Sequence, residues 1–435
     1  PPGLSLRRMR PAAKARWRAV VMTGQLGESA TWGEGTYENE YVKHDGVWKL
    51  SKVHWYQTFM VPYAGGWTKN KDINGGVYVS KEFPPDRPPT VKYDVWPGVH
   101  IPAFHYTNPV AKDPPAAPVD ATSDAAVAQL RKRIGLLRDA DEIENLISMY
   151  GYYLDKQKWD LLTDLFSEEC SLEISQRGVY FGKQGVRRAM ELFGPQNIEP
   201  DHLHNHIQMQ PFINVASDGQ RAWARSRALS QLGTFGRPGV WGDGVYENEF
   251  IKEQGVWKIR KDHVYTTFFA FYDEGWMNGR APPKASQAIP PDAPPTEVYG
   301  GYPDVYVPPF HFKNPVTGGE QRAQPALSLA QVPAQARSTL ARLEQKVTQL
   351  EDEHDIENLQ RAFGFYVDKA KWQDVADLFA EDATLEMGGS GVFVGKARIL
   401  QFMTRLAPNG LESGRLLNHL QLHPVVHDAP GGSTA

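Results

Sequence analysis

The residues best suited to chemistry in this 435-residue chain lie in two short stretches. Residues 143–159, IENLISMYGYYLDKQKW, have the apolar spacing of an amphipathic helix that carries Tyr150, Tyr153 and Asp155 into an apolar pocket. His202, His204 and His206 form H-x-H-x-H, which on a strand projects all three rings from one face. A carboxylate, an imidazole and phenol hydroxyls in a mostly dry pocket can be tuned to take and return protons. Elimination next to an acidic C–H needs no more than that, so no cofactor is expected. Tyr150 and Asp155 are five apart, about 140° from each other on a helix unless its last turn tightens.

The helix occurs twice, which sets the organisation of the chain. Its second copy, residues 356–372, reads IENLQRAFGFYVDKAKW and lies 213 positions on, so that Asp155 recurs as Asp368 and His206 as His419. TWGEGTYENEYVKHDGVWKLSKVHWYQTF, from Thr31, matches VWGDGVYENEFIKEQGVWKIRKDHVYTTF, from Val240, at a shift of 209. The middle of the chain is therefore one whole unit, the C-terminal part a first half and the N-terminal part a second half. Joining Ala435 to Lys14 restores a second unit, so the chain reads as a circularly permuted tandem cut at a turn between strands. The expected domains are 14–110, 120–318 and 335–435. Residues 1–13 match nothing in the complete unit.

Composition sets the outer bounds. With 41% hydrophobic and 23% charged residues the chain is of ordinary globular type, and a net charge of −4 gives no basic field for nucleic acid or an anionic membrane. A lone cysteine, Cys170, excludes an intrachain disulfide framework. No apolar run has the length of a membrane span, and PPGLSLRRMRPAA has no apolar signal core. A cytoplasmic protein is the expectation. In the complete unit, Val127, Leu130, Ile134 and Leu137 form a short heptad helix whose twin uses Leu340, Leu343, Val347 and Leu350, and the two could pair. The chemistry-bearing helix follows, then a short helix from Trp159, a hairpin, a helix over 185–193, and strands over 202–211, 221–232, 244–253 and 255–271. Helices followed by long antiparallel strands predict an α+β fold: two cone-shaped curved sheets backed by helices, one continuous and one assembled from both chain ends. Each unit ends in a proline-rich arm, from Pro84 and Pro290, too apolar to be a free linker and expected to lie across a neighbouring unit.

The order of these motifs resembles the SnoaL-like branch of the nuclear-transport-factor-like superfamily. The residues that carry the likeness are Tyr150 and Asp155, the stretch 159–166, Gly182 to Val186, His206, and the run from Gly244 to Ile259. The resemblance implies a cone of sheet around a deep apolar pocket, closed by helices and dimerising through sheet faces. It covers scytalone and bile acid dehydratases, ketosteroid isomerase, cyclases, epoxide hydrolases, lyases and non-catalytic members, so the fold alone selects no reaction. Tyr150, Asp155 and His206 are similar to the bile acid dehydratase pattern. On that likeness His206 is the acid/base, charge-paired and oriented by Asp155, with a tyrosine hydroxyl on the substrate oxygen.

Comparing the copies refines this. Asp368 and His419 persist, but Tyr150 becomes Phe363 and Tyr152 becomes Phe365, leaving Tyr153 and its twin Tyr366. Either Tyr366 serves the split unit or that unit is inactive, so the complete unit is the expected site. The competing reading of Asp155 is a cap for the helix near Trp159, with a satisfied core histidine. The triple-histidine face becomes Arg415, Leu417 and His419 in the twin, so no metal is expected, while Gln208 and its twin Gln421 suit a polar pocket wall. On the last strand Trp257, Ile259, Lys261, His263 and Tyr265 fall on one face, repeated by Trp48, Leu50, Lys52, His54 and Tyr56; the apolar company turns this face inward, making His263 and Tyr265 pocket candidates or buried structural groups. Trp241 and Trp32 either line the pocket mouth or pack the core. Arg225 with Arg227, and Glu247 with Glu249, recur as Arg16, Arg18, Glu38 and Glu40, a pattern of cross-strand ion pairs. His105 and His311 anchor the arms or cap a neighbouring pocket.

The expected function is a cofactor-independent lyase of the dehydratase type acting on a small apolar, aromatic or polyketide-like alcohol. An isomerase or cyclase of the same fold, or a ligand-binding or self-assembling protein, is the alternative. The expected partner is a small-molecule substrate, with neither nucleic acid nor membrane. Pairing of the two halves within a chain gives a pseudo-dimer that could assemble further; pairing between chains gives head-to-tail rings or filaments. Light scattering on dilute protein should return a single 48.8 kDa species or its dimer, and a polydisperse series would show that the halves pair between chains.

Overall fold

A computed structural model describes residues 12–79, 81–105, 124–318 and 334–428. The ends of the expected domains at 106–110, 120–123 and 429–435, and residues 1–11, lie outside the described residues. The complete unit is a six-stranded sheet in the order β5-β4-β9-β8-β7-β6, made of β4 (Phe166–Ile174), β5 (Val179–Phe181), β6 (His202–Val215), β7 (Arg221–Thr234), β8 (Val240–Glu253) and β9 (Val256–Phe271). Its helices are α1 (Asp124–Asp155), α2 (Trp159–Asp164) and α3 (Gly182–Met190). The split unit repeats this as β11-β10-β3-β2-β1-β12, with β1 (Ala12–Gln25), β2 (Ser29–His44) and β3 (Val47–Pro62) from the N-terminal part. The C-terminal part supplies α4 (Ala334–Asp368), α5 (Trp372–Asp377), β10 (Phe379–Met387), β11 (Val392–Val394), α6 (Lys396–Leu406) and β12 (Arg415–Asp428).

The seam closes in the register that the repeats require. β12 pairs antiparallel with β1, Asp428 opposite Ala13 and His419 opposite Val21. In the complete unit the equivalent residues Val215 and Ala222, and His206 and Ser230, are paired in the same way between β6 and β7. The permuted α+β tandem is thus present, with both units in one chain.

The heptad stretch and the helix after it are one continuous helix in each unit, not two, because nothing between residues 137 and 141 stops it. The leading turns of α1 and α4 do pair: Ala126 and Leu130 meet Leu340 and Val347, and Arg133 forks onto Glu351 at 3.0 and 2.7 Å. Glycine is needed where each helix crosses its edge strand. A Cβ on Gly151 would lie 2.8 Å from Gln208 Cγ, and one on Gly364 would lie 2.8 Å from Gln421 Cγ. The units share a buried apolar interface built by Met22, Leu416 and Leu420 on one side and Met209, Leu229, Trp241, Phe268 and Trp276 on the other.

The arms follow a different path from that expected. Their first stretches bind their own unit: Thr296 donates its N–H and hydroxyl to Glu173 at 2.7 and 2.8 Å, and Thr90 does the same to Glu386 at 2.6 and 2.7 Å. The second arm then crosses to the other unit, where Gly414 donates its N–H to the Pro303 carbonyl at 2.6 Å and the arm's end reaches α4 and α5. There Phe310 packs on Tyr366 at 5.4 Å, and Asn314 donates to the Asp374 carbonyl at 3.0 Å. Two carboxylates on the sheets hold this route, together with arm rings that pack on Tyr56 and Tyr265 of the same unit.

Trp276, fully buried in the interface, also donates its indole N–H to the Thr23 carbonyl at 2.7 Å. Trp276→Ala should lower the unfolding free energy by about 3–5 kcal/mol in denaturant titrations; a loss below about 1 kcal/mol would show that this contact does not hold the units together.

Candidate active site

The complete unit encloses a small cavity, about 60 Å³, lined by Tyr150, Tyr246, His206, Arg177, Phe193, Ser230, Asp243 and neighbours. Tyr150 comes from α1 and Tyr246 from β8, and their rings meet edge to face at 6.1 Å. Asp262 on β9 lies against both hydroxyls and is itself fully buried. Neither of its oxygens completes a well-aligned hydrogen bond, so burial dominates and pushes its carboxyl up to about 7, against a smaller lowering by Tyr150. Burial also pushes both tyrosine hydroxyls up. The guanidinium of Arg177 lies 5.7 Å over the Phe193 ring and forms no ion pair among the described residues; burial lowers its pKa. The cavity is therefore walled by tyrosine hydroxyls, the Asp243 carboxylate and one cation without an ion pair among the described residues, with an acid of near-neutral pKa beside them.

His206 lines this cavity, but not in the arrangement expected. The Asp155 carboxylate, at the end of α1, accepts the backbone N–H of His206 at 2.5 Å rather than its ring. Nor does Asp155 cap the next helix, whose N-cap position is Lys158 without a side-chain bond. The His206 ring packs 4.5 Å from His204, its Nδ1 has no partner, and burial together with that neighbour holds its pKa down at about 3. It is a neutral imidazole at physiological pH. His204 bonds the Leu154 carbonyl at 3.0 Å and exposed His202 bonds Pro200 O at 3.1 Å. No group of three histidine, cysteine or acidic residues among the described residues is placed to hold a metal ion. Gln208 lies against Gly151 and the Tyr246 hydroxyl, whereas Tyr153 is half-buried against the core.

A bulge moves the other candidates away. Glu249 faces Lys261 while Phe250 faces Ile259, leaving Arg260 as an extra residue in β9. Beyond it the faces exchange: Asp262, Val264 and Thr266 turn inward, and His263 and Tyr265 turn outward beneath the arm. His263 stacks on Tyr265 at 3.8 Å and lies 3.6 Å from Glu173, and Tyr265 meets the arm's Tyr299 and Tyr306, both at 5.7 Å. The twins repeat this, with His54 on Tyr56 at 3.8 Å, beside Glu386 and under Tyr93 and His100. Both histidines are held down to about 3, chiefly by burial. Trp241 donates to the Tyr63 hydroxyl at 2.7 Å between the units, and Trp32 packs at a tilt on Trp67 at 4.8 Å, so both are packing groups. Arg225 with Glu247 and Arg16 with Glu38 are the expected cross-strand pairs, and His311 and His105 hold the arms to those glutamates at 2.8 and 2.9 Å.

The split unit has the larger space, about 450 Å³, and the poorer chemistry. Its cavity meets Tyr37, Phe363, Val367, Trp372, Met387, Met403 and His419. At the places of Tyr150, Asp262 and Arg177 stand Phe363, Val53 and Ser390. Asp368 again accepts the His419 backbone N–H, at 2.6 Å, but its other oxygen is bound by Arg227 of the complete unit. Burial pushes Asp368 up to about 6 and holds His419 down at about 4. Tyr366 does not serve this cavity; it is covered by Phe310 and Phe312 of the arm. The sequence reading missed Asp262 and Arg177. The available signal was an acid in an inward-facing strand whose twin is Val53, hidden because strict alternation places Asp262 on the outer face.

With this geometry in place the family can be stated. The SnoaL-like domain model matches residues 6–54, 136–263 and 348–435, more than half of the chain, in the same three pieces as the permuted tandem, and the chain belongs to that family. Among solved structures it is similar to a provisionally assigned scytalone dehydratase from Novosphingobium aromaticivorans, with 23% identity over 32% of this chain and 89% of that one and a TM-score of 0.28. A hexachlorocyclohexane dehydrochlorinase from Novosphingobium barchaimii matches at 17% identity over 32% and 92%, with a TM-score of 0.28. A protein of unknown function from Mycobacterium tuberculosis matches at 21% over 29% and 69%, with a TM-score of 0.25. No curated protein matches the chain. None of the described helices is long and apolar enough to cross a membrane.

Asp262 yields a signed test. Folded, its carboxyl keeps a proton up to about pH 7; unfolded, it releases the proton near its ordinary 3.8. The native state therefore binds more protons between those values and loses stability as pH rises through them. Asp262→Asn should match the parent below about pH 4 and exceed its stability at pH 8 by up to roughly 4 kcal/mol in urea titrations; a parent that gains on the variant as pH rises would contradict the burial.

Proposed function

We propose that the complete unit is a cofactor-independent lyase of the dehydratase type. Its substrate would be a small, largely apolar ring compound with a hydroxyl β to a carbonyl. One observation carries the reading: Tyr150 and Arg177 line one cavity with Asp262 buried behind Tyr150, and all three are replaced by groups of no acid–base use in the twin unit.

Elimination asks for a base near neutral pKa, a stabiliser for the enolate and a proton for the departing oxygen. Arg177, unneutralised and half-desolvated, suits the enolate oxygen. The Tyr150 and Tyr246 hydroxyls face the cavity with Asp262 behind them, so the proton taken from carbon passes to Asp262 through a tyrosine. It returns by the same route to the departing hydroxyl, which leaves as water, and the carbon pair becomes an enone. His206, neutral, offers a hydrogen bond to the hydroxyl without changing the charge of the site. Asp155 acts through it, fixing the backbone from which that ring projects. A cavity of about 60 Å³ holds water rather than substrate, so entry requires Phe193 and Arg177 to swing aside.

Enone absorbance with fused-ring β-hydroxy ketones tests this. Asp262→Asn, Tyr150→Phe and Arg177→Gln should each lower kcat/KM by about 100-fold or more with the circular dichroism spectrum retained. Turnover surviving all three replacements would sink the assignment, and an isomerised rather than dehydrated product would move the chain to the isomerase alternative.

A further inference from the structure

The large cavity of the split unit lacks the acid, the second tyrosine and the arginine, yet its size is that of a ligand pocket. Its interior is made by Tyr37, Phe363, Trp372, Met387 and Met403, aromatic and thioether surfaces that accept flat apolar molecules. Charged residues, Glu28 and Arg415, lie at the exposed rim. At the inner wall, Val367 and His419 line the cavity on either side of Asp368.

Asp368 leads out of the unit. One oxygen holds the His419 backbone N–H at 2.6 Å, and the other holds Arg227 of β7. The Arg227 guanidinium also reaches Asn418, and Asp243 at 3.3 Å, and Asp243 lines the cavity of the complete unit. Arg227, Asp243 and Asp368 are all at least 97% buried, with buried Lys369 beside them, so this is a dry charge cluster that joins the two units. The pseudo-symmetric link is not built. Arg18, the twin of Arg227, is 57% exposed and pairs with Glu34 at 3.3 Å, and Asp155, the twin of Asp368, receives no arginine among the described residues.

We propose that the split unit is a regulatory site for a neutral, apolar, ring-containing molecule, and that Arg227 passes its occupancy to the cavity of the complete unit. A ligand pressing on Val367 and His419 bears on Asp368, and through Arg227 on Asp243. The two sites are then coupled reciprocally, whichever reaction the complete unit performs.

The test uses the full chain and the neutral fluorophore N-phenyl-1-naphthylamine. Fluorescence titration should show saturable binding, weakened at least about tenfold by Ala407→Trp, which plugs the rim. Hydrogen exchange read by mass spectrometry should change on probe binding in residues 363–372 and 415–428, and also in residues 240–246 of the complete unit. Arg227→Lys keeps the charge but not the forked contact; it should still bind probe and lose the response at 240–246. Absence of saturable binding, or full binding by Ala407→Trp, overturns the site. A response confined to the split unit, or one at 240–246 that survives in Arg227→Lys, overturns the coupling. No readout requires turnover, so failure of the lyase reading would appear separately.

Discussion

Both units depend on one polar contact at the end of a helix. The last residue of α1, Asp155, and the last of α4, Asp368, accept the backbone N–H of His206 and His419. A carboxylate bonded to backbone fixes two elements rather than two side chains, so it sets the depth at which each helix enters its cone. Gly151 and Gly364 make that depth reachable, because any Cβ there would strike the glutamine of the edge strand. Cavity width, the position of the histidine ring and the inward aim of residue 150 or 363 all follow from this clamp.

On that shared frame the two copies have diverged in opposite senses. The complete unit spends its interior on hydroxyls, Asp262 and Arg177, and has little space left. The split unit replaces those groups with Phe363, Val53 and Ser390 and keeps a wide apolar chamber. The differences fall on three elements, a helix, a strand and a hairpin, at equivalent places in the two units. Arg227 then uses the vacated Asp368 as a tether between units, a role closed to Asp155.

Much of this architecture was readable in the residues. Two constant shifts, 213 and 209, exposed the permutation, and the strand register at the seam obeys them. The site was less readable, for local reasons. Alternation along β9 placed His263 in the pocket and Asp262 outside it, and one extra residue, Arg260, reverses both; a bulge leaves no mark in a period-two pattern. Asp155 was expected to pair with the His206 ring and instead holds its backbone N–H, because spacing alone does not distinguish a ring from the backbone that bears it. The route of the arms was obscured because Thr90 and Thr296 look like ordinary turn residues until Glu386 and Glu173 are seen beneath them.

The seam between β1 and β12 also bears on the order in which the molecule can come into being. A chain emerging from its N-terminus presents β1 first, with one edge unpaired, and the strand that covers this edge is the last to appear. The complete unit has all six of its strands long before then and can fold as a finished body. Its interface, through Met209, Trp241 and Trp276, offers the waiting N-terminal hairpins a surface on which to rest. The central unit is thus complete while the β1 edge, of a kind prone to pair with other chains, still waits for β12.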